Sequence, residues 1–314
     1  MLGRLCMRVD GCIQAYEEVA EQAYTVKPRY VPGLSSSKYS STSLEKAFDH
    51  VVRQYCDDAI CKKQRGKGKA VVNNCLHSGM QLRNAACTKT ALFPITKDDV
   101  NASPHLLTTY STSTAYDTYT ITQAARATSA APTYFEFIRL GRDGVEYVDA
   151  GLGHNNPCAV LVNEAQDQFT GRQPLRILSI GTGLYKVAPI GYGIGSDIKS
   201  LRRLATTTQK VEVELKDKYR GTQHYYRFSV DRGLDGIGLA DYGMTSTLIT
   251  HAENYLLENR GKIGEFVQAF IAGKDRTRSP SPRLERGLQS HNITPTENQD
   301  PAMLPSRPKK IIHT

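Results

Sequence analysis

Apolar residues at Val9, Cys12, Ile13, Tyr16, Val19 and Ala20 recur at three- and four-residue intervals. That spacing predicts a helix from Val9 to Tyr24, stopped by Pro28. Residues 31–43 are rich in Ser and Gly and read as a loop. Leu44, Phe48, Val51, Val52, Tyr55 and Ile60 fall on or near one stripe and predict a second helix over 44–61. A basic turn follows at 64–69, and Ala70–Val72 starts a strand that Asn73 and Asn74 break. Residues 75–119 carry the weakest pattern. Gln123-Ala124-Ala125-Arg126-Ala127-Thr128-Ser129-Ala130-Ala131-Pro132 predicts a small-residue helix, ended by the proline.

Beyond it, Glu146–Asp149 reads as a strand end, and a helix runs from Pro157 to about Phe169 with Asn156 as its cap. Arg176–Ile180 reads as a buried strand with Gly181-Thr182-Gly183 as the turn after it. A long polar helix over 198–219, a strand over 225–230 and a mostly helical stretch over 245–272 complete the pattern. From Lys274 onward no period survives, and Ser, Pro, Arg and Gln dominate; that composition predicts a disordered tail. Strands separated by helices predict an α/β domain with a mostly parallel sheet over residues 1–272, and a basic tail over 273–314.

Length and composition suit this division. A chain of 314 residues with 39% hydrophobic residues can bury a sizeable core in one domain plus a tail. No apolar run approaches the 18 or so residues that span a bilayer. The first residues lack a continuous apolar stretch after their Arg, so no signal peptide is expected. Seven cysteines are odd in number and match no disulfide framework, which predicts reduced thiols and a cytoplasmic setting. Cys56 and Cys61 are spaced too widely for a tight CxxC pair and have no His cluster nearby, so neither metal nor cofactor is expected.

The net charge of +9 is concentrated. Arg53, Lys62, Lys63, Arg65, Lys67 and Lys69 face only Asp57 and Asp58, and the tail adds Lys274, Arg276, Arg278, Arg283, Arg286, Arg307, Lys309 and Lys310. A solvated loop and tail is the plain reading. Attraction to an anionic membrane surface is the sharper one, at about 1 kcal/mol per basic residue. Aromatic interleaving and any nucleic-acid-binding module are missing, so nucleic acid is not expected as a partner.

The candidate chemistry centres on Asp149, in Gly144-Val145-Glu146-Tyr147-Val148-Asp149-Ala150-Gly151-Leu152-Gly153-His154-Asn155-Asn156-Pro157. A short β-type run ends in a carboxylate, and small residues follow at once. This is how an open α/β sheet presents an acid at a strand's carboxyl end. The plain alternative is an Asp that only forms a turn. His154 reads as structural, Ser129 as a small packing residue, and Arg126 as a partner of a carboxylate or of backbone carbonyls. Ser78, in His77-Ser78-Gly79, lacks the first glycine of a nucleophile elbow. Gly181-Thr182-Gly183 has no Lys and too few glycines for a phosphate loop. No Gly-x-Ser-x-Gly occurs in the 314 residues.

Ala124–Phe135, the Asp149 run and Ser179-Ile180-Gly181-Thr182-Gly183 together resemble the patatin-like phospholipase family, most closely its fungal branch, over roughly residues 1–270. Pro104-His105-Leu106 matches a further segment of that family. The resemblance implies a three-layer α/β/α sandwich and a lipid acyl hydrolase with a Ser-Asp dyad acting on lipid or phospholipid. Asp149 then stands at the proton acceptor and Asp149-Ala150-Gly151 at the family's Asp-Gly-Gly or Asp-Gly-Ala, with alanine in the middle as a departure. On the same alignment Met1–Ile13 resembles the end of the helix after the nucleophile elbow. The serine would lie about eight residues before Met1, with the glycine-rich oxyanion loop further upstream. Two expectations follow: a hydrolase domain whose first part lies outside these residues, or a catalytically inactive protein that binds lipid surfaces or partners.

Overall fold

The computed structural model describes residues 1–31, 35–56, 58, 59, 61, 63, 79–99, 102–112, 118–172, 174–183, 195–234 and 237–276. By its contacts the chain divides into Met1–Ala272 and Gly273–Thr314. The basic turn at 64–69, the strand at 70–72, Ser78 and the expected disordered tail beyond Arg276 lie outside the described residues, while Lys274–Arg276, expected in that tail, end a helix.

Helix α1 (Val9–Ala23) and helix α2 (Ser41–Gln54) pack on each other. In α1 the buried stripe is Ala15, Val19, Ala20 and Ala23, while Val9, Ile13 and Tyr16 point outward. The helix is as expected, but its inward face is the alanine-rich one. Alanine lets two helices approach closely, as at the contact with α2. In α2, Leu44, Ala47, Val51 and Val52 are buried. It starts three residues earlier than its apolar stripe suggests because the Ser40 hydroxyl caps it, accepting the Ser43 N–H at 3.2 Å. It also stops earlier: the Asp58 carboxylate takes the Cys61 N–H at 3.3 Å, which starts a new turn.

Two short strands, β1 (Ala91–Leu92) and β2 (Ile95–Thr96), precede β3 (Leu107–Thr108). Helix α3 (Ile121–Thr128) begins at a capping box. Thr120 accepts the Gln123 N–H, and the Gln123 side chain accepts the Thr120 N–H. It ends at Ser129, ahead of Pro132. Strands β4 (Ile138–Leu140) and β5 (Val145–Val148) form a hairpin whose turn runs from Gly141 to Gly144. Both glycines have positive φ, 75° and 64°, the backbone region that a residue with Cβ rarely adopts.

A short helix α4 (Gly151–His154), helix α5 (Cys158–Gln168) and strand β6 (Ile177–Ile180) come next. A long helix α6 (Gly195–Lys218) leads to β7 (Tyr225–Phe228). A 3₁₀ turn (Tyr242–Met244), helix α7 (Thr245–Glu258) and helix α8 (Arg260–Arg276) complete the described chain. The stretch read as mostly helical is two helices, separated at Asn259.

Helices alternate with strands, as the α/β class requires, but the expected mostly parallel sheet is not what the described residues form. β1 pairs with β3 antiparallel, and β2–β5–β4 is antiparallel throughout. Of the strand pairs among the described residues, β6 and β7 alone run parallel, from Ile177↔Tyr225 to Ile180↔Phe228. The connections explain this. A parallel pair needs a crossover of a dozen or more residues, which α6 supplies between β6 and β7. Four residues join β4 to β5, and that length permits only a hairpin. β6 also differs from its expected burial, since Leu178 and Ile180 are 41% and 74% exposed.

Candidate functional site

Asp149 follows the last residue of β5, the central strand of its sheet. Position is fixed through the backbone: the Asp149 N–H donates to the Ala130 carbonyl, just past α3, at 3.1 Å. The side chain is fixed through the next turn, where the Gly151 N–H donates to Asp149 Oδ1 at 2.8 Å. A Cβ on Gly151 would sit 3.4 Å from that same oxygen, so glycine leaves the carboxylate room to keep its rotamer. Ala150 has φ −69° and ψ −4°, an ordinary right-handed conformation. The departure from glycine at the middle position therefore costs no backbone strain.

The carboxyl is half-buried, and that burial pushes its pKa up; the hydrogen bond from Gly151 acts in the opposite direction and is the weaker influence. A carboxylate raised in this way is a better proton acceptor near neutral pH than a solvated one. Tyr24, the C-terminal residue of α1's last turn, feels Asp149's charge. Its phenol is held protonated mainly by burial, then by Tyr16, Tyr134, Tyr39 and Asp149. Tyr24 packs edge-on to Tyr39 at 5.2 Å and stacks on Tyr242 at 6.4 Å. Tyr24 carries no sequence signal for this place, since it only extends the periodic pattern of α1.

The small-residue helix brings fully buried Ala124, Ala127 and Ala130 against the acid's strand. Ser129 closes α3, its N–H donating to the Arg126 carbonyl at 3.3 Å. Arg126 fulfils both readings made of it. Its Nη2 donates to the Glu136 carbonyl, and its Nε lies 3.5 Å from Glu45 Oε1. The Glu136 carboxylate is held below the ordinary carboxylate range, chiefly by Lys27 Nζ at 2.7 Å and also by the Ser37 hydroxyl. Sequence patterning gives no sign of that pair, whose members are 109 residues apart.

Thr133, also unsignalled, has φ 70°, an uncommon conformation for a β-branched residue. The Lys38 N–H donates to its carbonyl at 2.8 Å and holds it there.

His154 is structural, with Nε2 at 3.1 Å from the Ala102 carbonyl. His105 Nδ1 and the Tyr147 hydroxyl share a hydrogen bond at 2.9 Å, so the Pro104-His105-Leu106 segment braces β5. Gly181-Thr182-Gly183 forms the turn after β6: the Gly181 N–H donates to the Phe228 carbonyl at 2.8 Å, and the Gly183 N–H to Ser229 Oγ at 3.2 Å. Among the described residues no group of three His, Cys, Asp or Glu side chains is placed to hold a metal ion. None of the described helices is long and apolar enough to cross a membrane.

Residues 8–162 match the family model for patatin-like phospholipases. This region belongs to that family. It contains α1 to the first turn of α5, the acid and its whole backbone setting. The chain is similar to calcium-independent phospholipase A2-gamma of Rattus norvegicus, 26% identical over 241 residues, which is 73% of this chain and 28% of the relative. The proteins of the same name from Mus musculus and Homo sapiens are each 33% identical over 115 residues, 35% of this chain and 14% of theirs. The chain thus spans 28% of the rat relative's length and 14% of the mouse and human relatives'. No solved structure matches it.

Proposed function

We propose that this chain is part of a patatin-type lipid acyl hydrolase in which Asp149 is the proton acceptor. The observation that carries the reading is the setting of Asp149: a carboxyl at the end of a central strand, raised by burial and oriented by the Gly151 N–H. In the reaction a serine hydroxyl attacks the acyl carbonyl of a phospholipid ester and gives its proton to Asp149. Backbone amides stabilise the oxyanion; its collapse breaks the ester C–O bond and expels the lysophospholipid, whose oxygen takes the proton from Asp149, and water then cleaves the acyl-serine ester to release the fatty acid and the serine. The serine is proposed to lie in a Gly-x-Ser-x-Gly elbow encoded upstream of Met1. The substrate class follows from the phospholipases to which the chain is similar. A cytoplasmic, membrane-peripheral location accords with the cysteine usage and the basic segments.

A second reading, an inactive lipid-surface or partner-binding protein, is favoured by one observation: none of the 314 residues forms an elbow. The transcript upstream of the Met1 codon separates the two. An in-frame elbow, and acyl-ester turnover by the extended protein that is lost in Asp149→Asn, is the expected result. An in-frame stop with no elbow leaves the second reading. Assayed alone with a fluorogenic acyl ester, the 314-residue chain is expected to match its Asp149→Asn variant. Liposome co-sedimentation at low and high salt tests the membrane contact. Binding indifferent to anionic lipid and to salt rejects an electrostatic attachment.

A further inference from the structure

Arg126 is only 1% exposed, although a buried cation is costly unless fully paired. Its pairing is incomplete. Nη2 donates to the Glu136 carbonyl and Nε lies 3.5 Å from Glu45 Oε1, but Nη1 is buried with no hydrogen-bond partner. An apolar side chain of similar volume would often serve stability as well or better. What the guanidinium does supply is a planar fork that reaches three segments at once. It stands on α3, bonds the segment just before β4, and pairs with Glu45 on α2. The same corner is knitted by the Glu136 N–H to Ser41 Oγ at 3.1 Å and by Lys27 to Glu136.

Between Arg126 and Glu136 runs the loop that holds Thr133 in its left-handed conformation and presents the Ala130 carbonyl to the Asp149 N–H. We propose that Arg126 is a positioning residue for Asp149: by closing the loop from 126 to 136 on itself, it fixes the Ala130 carbonyl and, through it, the acid. The role rests on the reading of Asp149 as the proton acceptor. The Asp149 carboxyl is pushed up by burial and drawn back by the Gly151 N–H, and its charge reaches the buried Tyr24 phenol.

That enclosure gives the test a sign. Loss of a nearby cation raises a carboxyl midpoint, whereas loosening its enclosure lowers it. The measurement is the pH titration of the Asp149 carboxyl carbon by ¹³C NMR in the 314-residue chain, with Asp149→Asn to assign the signal. Arg126→Met keeps the volume, and Arg126→Lys keeps the charge but not the fork. Both are expected to lower the midpoint, Arg126→Met by about threefold or more in the protonation equilibrium, with circular dichroism unchanged.

A midpoint that stays in place or rises in either folded variant overturns the proposal. So does a parent midpoint in the ordinary range, which would remove the enclosure to be lost. Failure of both variants to fold would make Arg126 a requirement of the core itself and reject a separate positioning role. Ester turnover is not the readout, so the hydrolase reading can fail without touching this result, and the reverse holds too.

Discussion

Around Asp149, apolar side chains face inward. Leu44, Val51 and Val52 of α2, Ala124 and Ala127 of α3 and Ile95 of β2 are almost wholly enclosed. Around the parallel pair β6–β7 the reverse holds on one face. Leu178 and Ile180 turn outward, and so do Leu248, Ile249, Leu256 and Leu257 of α7. α1 belongs to both patterns, with alanines inside and Val9, Ile13 and Tyr16 outside. The difference bears on chemistry. A carboxyl is raised only where water is kept away, and the first region is built to do that. The second region buries a smaller cluster of Cys158, Val162, Ile177 and Leu215, and leaves Leu178, Ile180 and the named residues of α7 for the solvent to meet.

The comparison breaks first if burial does not track stability. Leu44→Ala should lower unfolding free energy by about 2–5 kcal/mol in urea titrations followed by circular dichroism; a loss below about 1 kcal/mol would mean that the first core is loose. The second region has one tight place. A Cβ on Gly181 would lie 2.5 Å from Ser229 Oγ and 2.7 Å from Arg227 Nη2. Gly181→Ala should therefore cost about 1–3 kcal/mol, and a neutral result in the same titration would show that the β6–β7 turn yields freely.

The pH dependence sharpens the account of the acid. Asp149 has its folded pKa above the ordinary value of 3.8, so between these two pH values the native state binds the extra proton. Its contribution is fully present below pH 3.8 and is lost as pH rises through the folded midpoint, at no more than about 1.4 kcal/mol per pH unit. Urea titrations across that window should show the parent losing stability relative to Asp149→Asn as pH increases. A difference that is flat, or of opposite sign, would mean that burial does not govern the carboxyl.

The structure also shows which parts of this were legible. The apolar periods of α1 and α2 were readable because a helix repeats its inward face every three or four residues. The acid was readable because a β-run ending in Asp-Ala-Gly is a local feature. Inward and outward were not distinguishable in α1, where Val9, Ile13 and Tyr16 share the period of the alanines they oppose. Strands β1, β2 and β3 span two residues each, too short to show alternation, and their partners are chosen by tertiary contact. The Thr120–Gln123 capping box was present in the sequence as a Thr-x-x-Gln signature but lay beside the least patterned stretch. Nothing local marks the Lys27–Glu136 pair or the left-handed Thr133.

Two smaller effects complete the comparison. Thr133→Gly removes the cost of a left-handed β-branched residue but adds unfolded-state entropy, and the balance should raise stability by roughly 0.5–1 kcal/mol. A fall in melting temperature would show that the threonine side chain holds the loop by contacts of its own. Ile180→Ala, at a position 74% exposed, should change stability by no more than about 0.5 kcal/mol. A larger loss, or one that depends on protein concentration, would reveal that the outward face of β6 is covered in solution.

The hairpin turn from Gly141 to Gly144 makes the placement of the acid a matter of parity. Side chains alternate between the two faces of a strand, so every residue of β5 inherits its face from the count of residues in that turn. The turn sits at the far end of β5 from Asp149, yet a slip of one position against β2 and β4 would carry the carboxylate to the opposite face of the sheet. Inserting a single residue there would leave the composition of the site untouched while turning its acid away. Two inserted residues would restore the face and move the acid along the strand instead.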